Sequence, residues 1–373
     1  MTARLWLADL RLTDFRSHAD LRLSLDDRPV CLIGPNGAGK TNVLEAVSAL
    51  APGRGLRGAG LADMARAPGA TERARPWVVF AEAVLNGERR TLAAAAERSP
   101  DGGLKRIARL DGRAAPGPEV AALLRLSWVT PAMDRLFTGA PGDRRRFFDR
   151  LAFAFAPEHG AAAAAYERAL RERQRLLQDG GADRVWLDAL EHEMATHGAA
   201  VAQVRARTLS ALRDMIATRP DGAFPRAALA FSDGLESAFA QGAASADLED
   251  GFARSLRTTR ARDAAAGRAL DGPHRTDLLV RHAAKDMPAE ACSTGEQKAL
   301  LLGIVLAHVR ALANDPGAGP ALLLVDEAAA HLDAARRAAL FEELLDGPGQ
   351  AWLTGTDAVL FEAFGGLAQR VPL

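Results

Sequence analysis

Leucines alternate with polar residues from position 5 to position 12 and again from 21 to 25. This period of two predicts β-strands with one buried face. A continuous apolar run at 29–33 then predicts a short, fully buried strand. Apolar spacing typical of a helix covers 41–50, and a further strand is predicted over 77–85.

The pattern changes near position 141. From 144 to 263 the chain is rich in Ala, Arg, Glu and Leu, and apolar residues such as Tyr166, Leu170 and Leu177 recur at helical spacing. Beyond this stretch the alternation of strands and helices returns. We expect a helix over 298–313, a strand over 321–325, a helix over 331–345 and a last strand over 350–354.

This order predicts an α/β fold, a mixed sheet with flanking helices, into which an α-helical arm is inserted. The 373 residues are enough for two domains, or for one domain with a large insertion. We expect the arm to cover 141–263, between a first part of the sheet domain at 1–140 and a second part at 264–373.

Charge and composition narrow the class of protein. The 47 basic and 47 acidic residues cancel, which argues against a surface coated in positive charge but leaves room for a local basic groove. Two cysteines, Cys31 and Cys292, are too few for a disulfide framework. The first residues are broken by charges, and no uncharged apolar run approaches the ~20 residues of a membrane span. We expect a cytoplasmic protein without a membrane partner.

A glycine-rich segment between the strand at 29–33 and the following helix matches the phosphate-loop pattern G-x-x-x-x-G-K-[ST] in full. The glycines let successive backbone N–H groups point at phosphate oxygens, and the helix adds its positive N-terminal end. Lys40 is expected to reach the β- and γ-phosphates of ATP, and the Thr41 hydroxyl to ligate Mg²⁺. The predicted nucleotide-binding residues are Gly34, Pro35, Asn36, Gly37, Ala38, Gly39, Lys40, Thr41 and Asn42.

A second motif is the apolar strand at 321–325, which ends in Asp326 and Glu327. At the tip of such a strand, Asp326 is expected to hold Mg²⁺ and Glu327 to act as the general base that polarises the attacking water. Alone, the pattern also fits a strand that meets a helix cap. Together with the phosphate loop, it predicts an ATPase in which Lys40 and Glu327 are catalytic.

The two motifs lie far apart and enclose the helical segment, a layout that resembles the ABC-type ATPase heads of chromosome-maintenance and repair proteins. Residues 292–298 (CSTGEQK) are similar to the ABC signature. The resemblance implies that Ser293 and Gly295 contact the γ-phosphate of ATP held by a second subunit. The same segment also fits a plain capping box of Ser293 and Glu296. Asp333 resembles the residue at the dimer seam, whereas the usual glutamine loop and switch histidine are absent, with Thr356 the candidate at the switch position.

Five further segments resemble one family, the bacterial DNA replication and repair proteins called RecF, almost from end to end. They are 14–17 (DFRS), 40–46 (KTNVLEA), 52–57 (PGRGLR), 137–149 (FTGAPGDRRRFFD) and 272–278 (GPHRTDL). The resemblance implies a homodimer that closes on ATP, has weak ATPase activity and binds DNA at single-strand gaps and junctions. It also implies that RecO and RecR are partners in loading the RecA recombinase.

Several arginines are candidates for DNA phosphate contacts, because guanidinium groups suit phosphate oxygens. They are Arg54, Arg57, Arg144, Arg145 and Arg146. The alternative is that they pair with nearby acids such as Asp143 and Asp149. His274 and Arg275 fit either a structural loop anchor or a sensor of nucleotide state.

Three other classes share part of this pattern. A transporter ATPase subunit would carry a glutamine loop and a switch histidine. A chromosome organiser would carry a much longer coiled coil than the segment at 141–263 allows. A nuclease with an ABC head would need an additional acidic metal cluster. The RecF resemblance is therefore preferred.

Overall fold

The computed structural model describes residues 4–66, 75–100, 102–179, 183–220, 222–327 and 332–373. The chain divides into two compact units. The first is formed from residues within 1–134, 221–224 and 301–373, and the second from 135–220 and 225–300. In the described chain, no helix is long and apolar enough to cross a membrane.

The strands, in chain order, are β1 (Leu5–Phe15), β2 (His18–Ser24), β3 (Val30–Ile33), β4 (Trp77–Leu85), β5 (Glu88–Arg98), β6 (Leu104–Leu110), β7 (Arg113–Ala114), β8 (Arg125–Val129), β9 (Ala227–Phe231), β10 (Leu278–His282), β11 (Met287–Pro288), β12 (Ala321–Val325), β13 (Ala351–Gly355) and β14 (Gln369–Pro372). The α-helices are α1 (Lys40–Leu50), α2 (Leu61–Met64), α3 (Gly117–Leu123), α4 (Pro141–Phe155), α5 (His159–Gln178), α6 (Arg184–Thr218), α7 (Leu235–Ala240), α8 (Ser245–Thr258), α9 (Arg260–Ala266), α10 (Thr294–Asn314) and α11 (Ala334–Leu345). Short 3₁₀ helices lie at Pro131–Arg135, Ala283–Lys285, Ala289–Ala291 and Ala358–Phe364.

Two sheets form the first unit. An antiparallel sheet has the order β2-β1-β4-β5-β6-β7, and its alternating leucines face inward as the sequence predicts. A parallel sheet has the order β14-β3-β13-β12-β8. Helix α1 shares one hydrophobic core with both sheets through Val43, Leu44 and Val47. Because the strands of the second sheet are parallel, the carboxyl ends of β3, β12 and β13 meet at one edge.

The second unit combines helices α4 to α9 with a three-stranded sheet of order β11-β10-β9. Strand β9 lies inside the segment that was predicted to be helical throughout, so that prediction is wrong for 227–231. Alanine favours helices, but these residues pair antiparallel with β10 and bury Leu229, and tertiary pairing overrides the propensity. The compact unit therefore extends past 263, the predicted end of the arm, and reaches residue 300.

Near the C-terminal end, the structure differs from two further predictions. The strand predicted over 350–354 is present as β13, but it is not the last, because β14 follows and pairs with β3. The sequence of β14 is short and ends in proline, which suits the edge of a sheet. The helix predicted over 331–345 is α11, where Asp333 caps the first turn by accepting a hydrogen bond of 2.8 Å from the Arg336 backbone N–H. His331 and the preceding three residues lie outside the described residues.

Candidate nucleotide-binding site

A cavity of about 390 Å³ opens at the edge where β3, β12 and β13 end. The segment between β3 and α1 forms its floor. Gly37 and Gly39 have φ angles of 87° and 95°, which L side chains rarely adopt. A Cβ on Gly39 would also lie 2.5 Å from the His18 ring, so this position requires glycine. The residues lining the cavity are Asn36, Gly37, Gly39, Lys40, Thr41, Asn42, Arg57, Glu327, Gly355 and Thr356.

Lys40 is the first residue of α1 and is buried. Its Nζ donates hydrogen bonds of 2.6 and 2.8 Å to the carbonyls of Gly34 and Pro35. The same loop is closed by a hydrogen bond from the Ala38 N–H to the Pro35 carbonyl. Among the described residues, no carboxylate pairs with the ammonium of Lys40. Its charge is therefore left for an anion in the cavity.

Thr41 and Asp326 meet beside this lysine, as the two motifs predict. The Thr41 hydroxyl donates to Asp326 Oδ1 over 2.9 Å. Burial raises the pKa of Asp326, while the hydrogen bonds from Thr41 and Thr354 oppose that rise. A desolvated carboxylate next to a threonine hydroxyl is a donor set that suits Mg²⁺ together with phosphate oxygens and water. The residues present thus fit the predicted ion.

Thr354, at the end of β13, is a part of the site that the sequence reasoning missed. Its hydroxyl donates to Asp326 Oδ1 over 2.9 Å and accepts the backbone N–H of Glu327 over 2.8 Å. Glu327 has a φ of 52°, an uncommon conformation for a non-glycine residue, and its side chain lines the cavity. Thr354 therefore holds both carboxylate residues in place. Thr356, the candidate suggested for the switch position, also lines the cavity.

We expect Thr354→Val to lower the ATP hydrolysis rate about tenfold and to change ATP affinity much less. Valine has the same shape but leaves the Glu327 N–H unpaired, at a cost of about 1–3 kcal/mol. Steady-state phosphate release and fluorescent-nucleotide titration measure the two effects separately. Thr354→Ser keeps the hydroxyl and should restore most of the rate. Equal rates for the valine and serine variants would contradict a positioning role for the hydroxyl.

The comparisons with known proteins agree with this site. The family model described as RecF/RecN/SMC N terminal domain matches residues 6–351. The DNA replication and repair protein RecF of Rhizobium rhizogenes is 49% identical over 373 residues, covering 99% of this chain and 97% of that protein. The chain belongs to the RecF family. The RecF of Caulobacter vibrioides is 48% identical over 370 residues, covering 98% and 95% of the two chains.

Solved structures give the same fold. A structure described as the recombination mediator protein RecF with ATP in the RecFOR pathway matches with a TM-score of 0.79 and 18% identity, over 95% of this chain and 92% of that one. The Smc head domain from Pyrococcus furiosus, bound to the C-terminal domain of ScpA, has a TM-score of 0.51 and 17% identity, over 96% and 92%. The predicted ABC-type ATPase head is confirmed.

The signature-like segment of this RecF-family chain lies in the second unit. Ser293 and Glu296 form the capping box that the sequence offered as the alternative: Glu296 accepts hydrogen bonds of 3.0 and 2.9 Å from the Ser293 N–H and hydroxyl. A hydrogen bond from Lys285, together with those from Ser293, lowers the pKa of Glu296 to about 2. Gly295 follows in the first turn of α10. Within this capping box, Ser293 remains exposed, directly before the first residue of α10.

Two of the candidate DNA-binding arginines lie near α1. Arg57 lines the nucleotide cavity and donates to Asn42 Oδ1 over 2.9 Å. It also pairs with the fully buried Glu45 at 3.1 Å. These contacts favour a role for Arg57 in the nucleotide site rather than the DNA contact that the sequence predicts. Arg54 is exposed, in the turn that follows α1.

The three consecutive arginines in the first two turns of α4, Arg144 to Arg146, have different surroundings. Arg144 makes a two-pronged ion pair with Asp277, at 2.9 and 2.7 Å, and donates to backbone carbonyls, which indicates a structural role. Arg146 is exposed and pairs with Asp143. Arg145 contacts only backbone oxygens among its described hydrogen-bond partners. The alternative of pairing with nearby acids thus fits Arg146, while Arg144 pairs with an acid from a distant segment.

Proposed function

We propose that this chain is an ATP-dependent DNA-binding protein of recombinational repair and replication, which acts as a homodimer. The observation that carries the proposal is that Lys40, Thr41 and Glu327 line one cavity, with Asp326 hydrogen-bonded to Thr41, in a chain that belongs to the RecF family. Relatives that match almost its whole length are named for DNA replication and repair. The nucleotide proposed for the cavity is ATP.

ATP binding and hydrolysis follow from the chemistry of the cavity. The Lys40 ammonium and the N–H groups of the loop neutralise the β- and γ-phosphates. Thr41 and Asp326 would hold Mg²⁺, which supplies positive charge to the phosphate oxygens when bound. Glu327 takes a proton from the attacking water, and Thr354 fixes its backbone. Among the described residues that line the cavity, Glu327 is the carboxylate placed to act as the base, and we propose a weak ATPase.

The dimer is proposed from the position of the signature segment. Ser293 and Gly295 belong to the second unit, whereas the residues lining the nucleotide cavity belong to the first. The exposed helix start at Ser293 offers N–H groups to the γ-phosphate bound by a second copy. ATP then closes two copies on DNA at single-strand gaps or junctions, and hydrolysis reopens them. RecO and RecR are the proposed partners, in a step that loads RecA.

Ser293→Arg tests the sandwich most directly. A bulky cation at this position should block the approach of the second copy, so ATP-dependent dimerisation and DNA binding should be lost while ATP affinity is kept. Sedimentation and fluorescence anisotropy with ATP measure these properties. Lys40→Ala should lose ATP affinity as well.

The matched control is Ser245→Arg, which places arginine at the exposed start of another helix in the second unit, α8. It should dimerise like the wild type. If Ser293→Arg also dimerises with ATP as well as the wild type, the composite site is wrong. If the wild type binds ATP but never DNA, the DNA function is wrong.

A further inference from the structure

The loop at 272–277 joins α9 to β10 and is held rigidly inside the second unit. His274 Nδ1 accepts a hydrogen bond of 2.7 Å from the Tyr166 hydroxyl, and Nε2 donates to the Ala269 carbonyl over 3.1 Å. Burial lowers the pKa of His274, which favours the neutral ring that can accept at Nδ1 and donate at Nε2. A Cβ on Gly272, where φ is 130°, would lie 2.4 Å from the Tyr166 hydroxyl. These contacts favour the structural-anchor role for His274, one of the two roles left open by the sequence.

A buried ion pair holds the middle of the same loop. Arg205 Nη1 donates to the Pro273 carbonyl over 2.7 Å and to Glu236 over 2.6 Å. The other oxygen of Glu236 accepts the Thr276 hydroxyl over 2.7 Å. Buried charged hydrogen bonds of this kind fix backbone positions. The backbone that carries Arg275 is consequently held in place by the contacts of its neighbours in the loop.

Arg275 is exposed, and its guanidinium has no hydrogen bond or ion pair within the part of the chain that the structure describes. The nearest acid along the chain, Asp277, is already occupied on both oxygens by Arg144. Many exposed arginines lack partners, so this alone indicates nothing. The difference here is the fixed backbone: the loop needs no further ordering when Arg275 binds a ligand, and only the side-chain rotamers of Arg275 have to be fixed.

Arg145 adds a second cation beside Arg275. Its Nη1 donates to the Thr276 carbonyl over 3.2 Å, which leaves Nε and Nη2 without a partner among the described residues. Burial lowers the pKa of Arg145 and the nearby charges of Arg205 and Arg275 lower it further, while Asp277 and Asp149 oppose that shift. Arg145 thus places a second positive charge against the backbone of Arg275 and Thr276, and the two arginines together are complementary to an anion.

We propose that Arg145 and Arg275 together bind one phosphodiester group of the DNA backbone. The proposal rests on the proposed DNA function and assigns a contact in the second unit to it. Guanidinium groups match the tetrahedral oxygens of a phosphate, and a backbone contact needs no particular base. The same chemistry would suit a terminal phosphate of ATP on a second copy. Arg275 is exposed, and the occupant named here is the DNA backbone of the proposed function, with ATP on a second copy as the other outcome of the test.

The test compares Arg275→Ala with Arg254→Ala, which removes an exposed arginine from α8 of the same unit. Binding of fluorescent duplex DNA with a single-stranded gap is measured in the presence of a non-hydrolysable ATP analogue at several salt concentrations. Arg275→Ala should raise the Kd about tenfold, as expected for a charged hydrogen bond, and should lower the salt slope by about 1. Arg275→Lys should keep the slope but bind more weakly, because lysine lacks the planar fork.

Three results would overturn the proposal. One is an unchanged Kd and slope for Arg275→Ala while the wild type binds DNA, which leaves the proposed function intact. Another is an equal loss for Arg254→Ala, which indicates a diffuse charge effect. The third is a loss of ATP affinity or of ATP-dependent dimerisation in Arg275→Ala without DNA, which assigns the phosphate to the nucleotide. A wild type that binds no DNA overturns the proposed function together with this contact.

Discussion

Glu327→Gln is expected to lower the rate of ATP hydrolysis by about 10²–10⁴-fold, the usual contribution of a positioned general base. Glutamine keeps the shape of the side chain but accepts no proton. The backbone N–H of residue 327 still donates to Thr354, so the site should keep its geometry. ATP affinity should remain, and the closed dimer should accumulate. Phosphate release, nucleotide titration and sedimentation measure these three outcomes.

Glu362→Gln is the control, because Glu362 is exposed in a short 3₁₀ helix of the same unit. Its hydrolysis rate should equal that of the wild type. Hydrolysis by Glu327→Gln at the wild-type rate would exclude Glu327 as the base. Loss of ATP affinity in the same variant would instead indicate that its carboxylate helps to bind the nucleotide.

The phosphate loop and the strand that ends in Asp326 were predictable because each is a local pattern. The left-handed glycines, the helix start at Lys40 and the buried strand depend on neighbours a few residues away. Thr354 was not predictable in the same way. Its contacts with Asp326 and Glu327 depend on the parallel register of β12 and β13, and no local feature of the sequence reveals that register.

The contacts of the arginines were even less predictable from the sequence. The sequence of the segment that follows α1 does not reveal that Arg57 forms an ion pair with the buried Glu45. Nor do the three arginines of α4 reveal which one pairs with Asp277, 133 residues further on. Strand β9 was missed because alanine-rich sequence favours a helix until a partner strand is available. In each case a contact between segments that are distant in sequence determines the role of the residue or the type of element. The periodicity of apolar residues predicts only which face of an element is buried.

Arg173→Leu is expected to lower the free energy of unfolding of the second unit by about 3–5 kcal/mol, because it breaks a buried ion-pair network. Arg173 is fully buried on α5. Its guanidinium donates over 2.9 Å to Glu191 on α6, over 2.9 Å to Asp263 on α9 and over 2.7 Å to the Leu256 carbonyl on α8. The substitution leaves buried carboxylates with less compensating charge. Hydrogen exchange of the α5 and α6 amides measures the local stability.

Arg168→Leu, an exposed arginine on the same helix, provides the comparison and should change stability by only about 0.5 kcal/mol. Adding Asp263→Asn to Arg173→Leu separates charge from packing. If uncompensated buried charge causes the loss, the double variant should recover part of it, since the amide removes a charge that has lost its main partner. A further loss of stability in the double variant would show that Arg173 acts through its packing. If Arg173→Leu itself lowers the stability no more than Arg168→Leu does, the ion-pair network contributes nothing. A partial recovery would identify these charges as a connection between the four helices α5, α6, α8 and α9.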